Sequence, residues 1–499
     1  MTFRRVLAAA AALAMLAAAP SGAQTAPAAA AAAAGPVVKT AQGAVRGAAA
    51  DGVAVFQGIP YAAPPVGDLR WRPPAAPAEW TVVRDATKPG ANCTQSEDCL
   101  FVNVTRPANA KAGAKLPVMV WIHGGAFVTG NSIGAFGAEH DGTEFAKQGV
   151  ITVSLNYRLG RAGWFAHPAL TREGPTGNYG IMDQIAALRW VQQNIGAFGG
   201  DPKNVTIFGE SAGAISVFYL MLTPDARGLF HKAISQSGFA RHQPTPLAVA
   251  EATAVQLAEK AGVQGSGPEA AAALRKLPLT ALPVGGGLTA PGRPSPILDG
   301  KIITSGIAEG FAAGRQAKVP LILGGNSNEA SLFRPQPAQL DLVPEAARPS
   351  MLAAFDPDNT GDRARIVHRL ATAQFITEPD RNLARIHSQA GAPAWLYYFS
   401  YVTPADRATS LGAAHTAEIK YVWGGAKQKF VAEDLPVSRA MNAYWAAFAK
   451  RGDPDSAGGP AWPRFAPKES SIEFGVAGVQ VREQHLKAQL DWVERSLKR

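Results

Sequence analysis

Asn204-Val205-Thr206-Ile207-Phe208-Gly209-Glu210-Ser211-Ala212-Gly213-Ala214-Ile215-Ser216-Val217 changes character halfway, at a serine set between two glycines. A β-branched, apolar run ends in a Gly-x-Ser-x-Gly pentapeptide and passes into small and apolar residues at helical spacing. It reads as a strand, a sharp turn and a helix, with Ser211 at the apex. A side chain held there occupies a strained backbone region, so the residues two before and two after it must lack bulk for the chains to pass. Gly209 and Gly213 meet that need, and Ala212 and Ala214 keep the surroundings small. The turn exposes the Ser211 hydroxyl above a sheet, while the N–H groups of the following helix point at any oxyanion that forms beside it. Ser211 is the expected nucleophile of an acyl transfer.

Upstream, Leu116-Pro117-Val118-Met119-Val120-Trp121-Ile122 is a continuous apolar run that suits a strand buried on both faces. It delivers His123-Gly124-Gly125-Ala126-Phe127 to the strand's end, where a Gly-rich turn can aim successive N–H groups inward. Together with the N–H of Ala212, those of Gly125 and Ala126 make an expected three-donor oxyanion hole. Val150-Ile151-Thr152-Val153-Ser154-Leu155 reads as a further buried strand, and Asn156-Tyr157-Arg158-Leu159-Gly160 as a turn beneath the site. Ile181, Ile185, Leu188, Val191 and Ile195 recur at helical spacing before the elbow strand. Strand, helix and strand joined by short links form the βαβ pattern of a mostly parallel sheet, with its ligand site beyond the carboxyl ends of the strands. The fold class is therefore α/β. Nearer the amino terminus, the Pro- and Gly-punctuated segment from Phe56 to Gly67 reads as a shaped loop.

Residues 1–23 carry Arg4 and Arg5, an apolar run and a small-residue site ending at Ala23, the pattern of an export signal, with Ala19 as a second cleavage position. The run is shorter than the ~20 apolar residues of a membrane span, so no stable span is expected. An Ala-rich leader, 24–36, precedes a single expected α/β domain over 37–499, since no Gly/Ser run, charge block or repeat divides it. The formal net charge is +10, but Lys and Arg are scattered rather than clustered, which argues against nucleic acid as a partner. The two cysteines, Cys93 and Cys99, are expected to be bridged, because disulfides persist outside the cytosol and no His or Cys nearby completes a metal-ligand set. A loop that small contributes about 2 kcal/mol by chain entropy. No cofactor or metal is expected, and monomer and homodimer both stay open.

Several of these segments together resemble the type-B carboxylesterase family of α/β-hydrolases. The resemblance rests on Phe56-Gln57-Gly58-Ile59-Pro60-Tyr61-Ala62, Ser96-Glu97-Asp98-Cys99-Leu100-Phe101-Val102-Asn103-Val104, His123 to Phe127, Asn156 to Gly160, Gly209 to Gly213 and Phe230-His231-Lys232-Ala233-Ile234-Ser235-Gln236-Ser237-Gly238. It implies an α/β-hydrolase fold with long insertions and hydrolysis of a small-molecule ester through an acyl-enzyme. A serine nucleophile needs a base, and the base needs an orienting acid, in the chain order Ser, Asp or Glu, His.

After the strand-like run Val319 to Gly325, Glu329 resembles the family's acid, although Asn328 and Ala330 replace its usual Asp and Gly neighbours. Asp299, in Pro296-Ile297-Leu298-Asp299-Gly300, is the rival and resembles a structural motif. Among nine histidines, His415 follows the strong strand Trp395 to Tyr401 on a loop that resembles the family's Gly-Ala-x-His segment. It is the expected base. Glu210 either tunes the site electrostatically or is simply packed into the elbow. The resemblance implies support of the triad by Ser237. Only Thr94-Gln95-Ser96-Glu97-Asp98 lies between the cysteines, without an aromatic, so the resemblance to cholinesterases does not extend to gripping a quaternary ammonium. Phe127, Phe333 and Trp423 are expected in an apolar pocket wall. A lipase acting at a lipid surface and a non-catalytic binding module are the alternatives to an esterase on apolar or aromatic small-molecule esters.

Overall fold

The computed structural model describes residues 35–497 apart from 176, 287–289, 291 and 456–457. The expected export signal, and the leader as far as residue 34, lie outside the described residues. The centre of the molecule is an 11-stranded sheet. Its strands in chain order are β1 (Ala48–Ala50), β2 (Val53–Pro60), β3 (Phe101–Pro107), β4 (Leu116–Ile122), β5 (Ile151–Leu155) and β6 (Gly200–Glu210), followed by β7 (Lys232–Gln236), β8 (Leu321–Asn326), β9 (Ala394–Phe399), β10 (Ser470–Gly475) and β11 (Gly478–Glu483). In space they run β11-β10-β9-β8-β7-β6-β4-β5-β3-β2-β1. Every neighbouring pair from β10 across to β5 is parallel. Pairing becomes antiparallel only toward the two edges. The carboxyl ends of β4, β6, β7, β8 and β9 therefore share one rim.

Alternation along the strands explains how both faces are buried. Val118, Val120 and Ile122 of β4, with Val205 and Ile207 of β6, pack in one core with Ile181, Leu188 and Val217. Met119 and Trp121 of β4, with Phe208 of β6, point the other way into a second core containing Met441, Trp445 and Phe448. A strand apolar at every position is what two such layers require. The covering helices are α1 (Tyr179–Asn194), α2 (Ala212–Leu222) and α3 (Asp434–Arg451). All of α2 is buried, which is why its sequence is apolar around its whole circumference.

The segment expected as a loop from Phe56 is instead strand as far as Pro60. Its punctuation marks a bulge: the register against β3 shifts between Phe56 and Ile59, where Gly58 has a φ of 68° and donates its N–H to Asn103 Oδ1 at 3.0 Å. The ladder resumes at Ile59 opposite Val102. Cys93 and Cys99 are disulfide-bonded, as expected. No helix among the described residues is long and apolar enough to cross a membrane.

Beneath the rim, Arg158 forms a two-pronged pair with Asp183 of α1, at 2.8 Å from Nε and 2.7 Å from Nη2, and both side chains are buried. The same carboxylate accepts the backbone N–H of Arg158 at 3.0 Å, which ties the turn after β5 to α1. Asp183→Asn is expected to destabilise the fold by about 3–5 kcal/mol, because the guanidinium would stay buried without its countercharge. A lowered guanidinium chloride midpoint checks this.

Candidate active site

Ser211 lies between β6 and α2 with a φ of 54° and a ψ of −120°, left-handed for a residue that has a Cβ. The strain is imposed by what surrounds it. A methyl group on Gly209 would meet the Ile122 carbonyl oxygen at 2.6 Å, and one on Gly213 would overlap that same oxygen. The elbow is thus jammed against the end of β4. The Ser211 N–H is held by the Gln236 carbonyl at 2.9 Å.

The turn after β4 faces the serine. Gly125, Ala126 and Phe127 all have positive φ, at 106°, 53° and 63°, so three successive peptide units curl in the left-handed region. Within the described residues the N–H groups of Gly125, Ala126 and Ala212 have no hydrogen-bond acceptor, although all three residues line the cavity that holds Ser211 and His415. Buried N–H groups are rarely left unpaired in a folded protein. All three stand in the same cavity wall as Ser211.

His415 sits on the loop beyond β9 and is placed by neighbours from the loop beyond β8. Its N–H donates to Ser331 Oγ at 2.9 Å, and Ala413 N–H donates to Ser327 Oγ at 2.8 Å. Its ring Nδ1 lies 2.5 Å from Glu329 Oε2. The other oxygen of Glu329 accepts Ser237 Oγ–H at 2.5 Å and Asn326 N–H at 2.6 Å, so this buried carboxylate has donors on both oxygens. Asp299, the rival acid, is spent elsewhere on the N–H groups of Lys301, Ile302 and Ile303 at 3.1, 3.0 and 2.8 Å.

Glu210 is fully buried, and its Oε1 stands 3.1 Å from His415 Nε2 without the geometry of a hydrogen bond. Burial pushes its carboxyl well above the usual range; His415 opposes this, and Glu418 and Glu329 reinforce it. For His415, burial alone favours the neutral ring, but Glu210 and Glu329 outweigh it and raise the imidazole to about 9. Each group therefore holds its proton more tightly than it would in water.

Glu418, the acidic residue three positions after His415, joins this cluster. Asn326 Nδ2 and Gln236 Nε2 hold it at 2.6 and 3.0 Å. The same Asn326 amide also donates to the Ala414 carbonyl at 2.8 Å, which links the acid to the histidine loop.

Above these groups lies a cavity of about 1010 Å³. Phe127 and Phe333 line it as expected, joined by Phe136, Phe239 and Phe375, which carry no local sequence signal. Trp423 does not line it. It is buried in the second core against Trp121 and Phe208, with ring centroids 5.5 Å away in each case, because its helix packs on the opposite face of the sheet. No group of His, Cys, Asp and Glu suited to a metal ion occurs among the described residues.

A mostly parallel sheet with a strained serine at the strand-to-helix elbow defines the α/β-hydrolase class. The model of the carboxylesterase family matches residues 34–341 and 336–491, and the chain belongs to that family. It is a carboxylic ester hydrolase. Fumonisin B1 esterase of Sphingopyxis macrogoltabida is 35% identical over 481 residues, covering 87% of this chain and 86% of that protein. Cocaine esterase of Homo sapiens is 33% identical over 500 residues, covering 87% and 85%. Among solved structures, the Geobacillus stearothermophilus carboxylesterase EST55 at pH 6.2 aligns with a TM-score of 0.77 at 32% identity, covering 91% of this chain and 99% of that one. A PNB esterase aligns with a TM-score of 0.76, also at 32% identity, covering 92% and 99%.

Because a methyl group at position 213 would overlap backbone rather than a flexible side chain, Gly213→Ala has to displace the elbow. We expect about 10²-fold loss of kcat/KM on a para-nitrophenyl ester with the fold retained by circular dichroism.

Proposed function

We propose that Ser211, His415 and Glu329 form a catalytic triad that hydrolyses apolar or aromatic small-molecule esters through an acyl-enzyme. The observation that carries this reading is the short Nδ1 contact of His415 with Glu329, in a cavity wall that also holds Ser211 and three N–H groups without acceptors. Glu329 fixes the ring so that Nδ1 carries the proton and Nε2 is the basic atom. As Ser211 Oγ attacks the ester carbonyl, its proton passes to Nε2, and the carbonyl oxygen becomes an oxyanion received by the N–H groups of Gly125, Ala126 and Ala212. Collapse of the intermediate breaks the ester C–O bond, and the leaving alcohol takes the proton from the imidazolium. Water then attacks the acyl-enzyme by the same proton route and releases the acid.

Ser237 and Glu210 act as positioning and electrostatic groups, the first on Glu329 and the second on His415. The aromatic walls and a volume of about 1010 Å³ favour apolar esters of drug-like size. The Cys93–Cys99 bridge supports the reading of residues 1–23 as an export signal to the periplasm or the medium.

Ser211→Ala is expected to lower kcat by about 10⁵-fold or more on a para-nitrophenyl ester and to abolish labelling by a fluorophosphonate; an unchanged rate removes the nucleophile assignment. A base must be unprotonated to act, so activity rises with pH through the His415 ionisation, and that limb should lie above the ordinary imidazole value of 6.5. Glu329→Gln removes the carboxylate in contact with Nδ1 and should move the limb to lower pH in a kcat/KM profile of the residual activity.

A further inference from the structure

The cavity wall is apolar apart from a few groups, and their charges are unequal. Glu210 is the one acidic residue among its described lining residues, and burial holds it toward the neutral form. His242 also lines it; burial lowers its imidazole to about 4, and Tyr219 Oη lies 2.8 Å from its Nδ1, so it is uncharged at neutral pH. Arg293 is the one Lys or Arg among the described lining residues.

Arg293 has no carboxylate partner among the described residues. Among the described residues its guanidinium donates to the Gly286 carbonyl alone, at 3.3 Å. Elsewhere in the molecule, half-buried Arg70 and Arg385 are matched to Glu97 and Glu469, and buried Arg106 and Arg161 to backbone carbonyls. The main chain next to Arg293 is held at Gly292. Arg161, itself buried, donates to the Gly292 carbonyl at 2.7 Å and to the Pro283 carbonyl at 3.1 Å, clamping the two ends of the segment that leads into it. On its other side Pro294 is buried. A half-buried guanidinium in the cavity wall, with no protein carboxylate beside it, can offer two parallel donors to a carboxylate that a ligand brings in.

We propose that Arg293 is a specificity residue that binds a carboxylate carried by the substrate, so that the preferred esters are acidic ones with a free carboxylate in the acyl or the alcohol part. This rests on the esterase reading above and names the substrate class for the same site. The net charge, +10 for the whole sequence and about +8 without Arg4 and Arg5 of the proposed export signal, favours the approach of such anions as well.

The test uses the whole enzyme and two matched pairs of esters. The mono-para-nitrophenyl ester of adipic acid against para-nitrophenyl hexanoate places the carboxylate in the acyl part. The para-carboxyphenyl ester of butyric acid against its para-carbamoylphenyl analogue places it in the alcohol part. For at least one pair, Arg293→Gln should lower the ratio of kcat/KM, charged ester over neutral ester, by about tenfold, mainly through KM, with Arg293→Lys restoring part of it and added salt shrinking the difference. The responding pair identifies which side of the ester bond Arg293 serves. A ratio unmoved in both pairs, with wild-type enzyme active on the neutral esters, overturns this inference alone. Wild-type enzyme inert toward all four esters overturns the esterase reading and this inference with it.

Discussion

The site depends on crowding at one carbonyl. The oxygen of Ile122, at the end of β4, occupies the space that side chains at positions 209 and 213 would need. With glycine at both, the chain can leave β6, turn through a left-handed serine and enter α2 while touching β4. The same contact sets the spacing between Ser211 and the Gly125–Ala126 turn, because that turn begins where β4 ends. Ser211 and the amides of Gly125 and Ala126 are thus held by a single contact between adjacent parallel strands. Any looseness there would be felt by both.

A second constraint is electrostatic. Glu210, Glu329 and Glu418 are all fully buried around one imidazole. Such a cluster would repel itself if every carboxylate were charged and bare. It is made tolerable by unequal treatment. Glu329 receives Ser237, Asn326 and His415, while Glu418 receives Asn326 and Gln236. Glu210 receives no hydrogen bond and is driven toward its neutral form. Loops from β7, β8 and β9 therefore converge because their polar groups complete one another, and the histidine arrives with an environment that favours its charged state.

How much of this was readable from the chain follows the range of the interactions. Strands β4, β5, β6, β8 and β9 announce themselves because a strand covered on both faces must be apolar at consecutive positions. The elbow is legible because steric crowding leaves a glycine signature within five residues. The bulge at Gly58 was misread as loop because glycine and proline punctuation does not distinguish a bend within a ladder from the end of one. Trp423 was misplaced because sequence does not reveal which face of the sheet its helix covers. Phe239 and Phe375 carry no signal for a related reason: each matters through partners far away in the chain, and nothing near them in sequence marks a cavity wall.

The clamp that Arg161 places on the segment ahead of Arg293 uses main-chain oxygens only. Main-chain oxygens are present whatever amino acid occupies the position. The attachment therefore reads no side chain, yet it still depends on one identity. Gly292 presents its oxygen at a φ of 72°, and a Cβ there would meet Thr253 Cγ2 at 2.8 Å, so the segment can vary on either side of a glycine that has to stay.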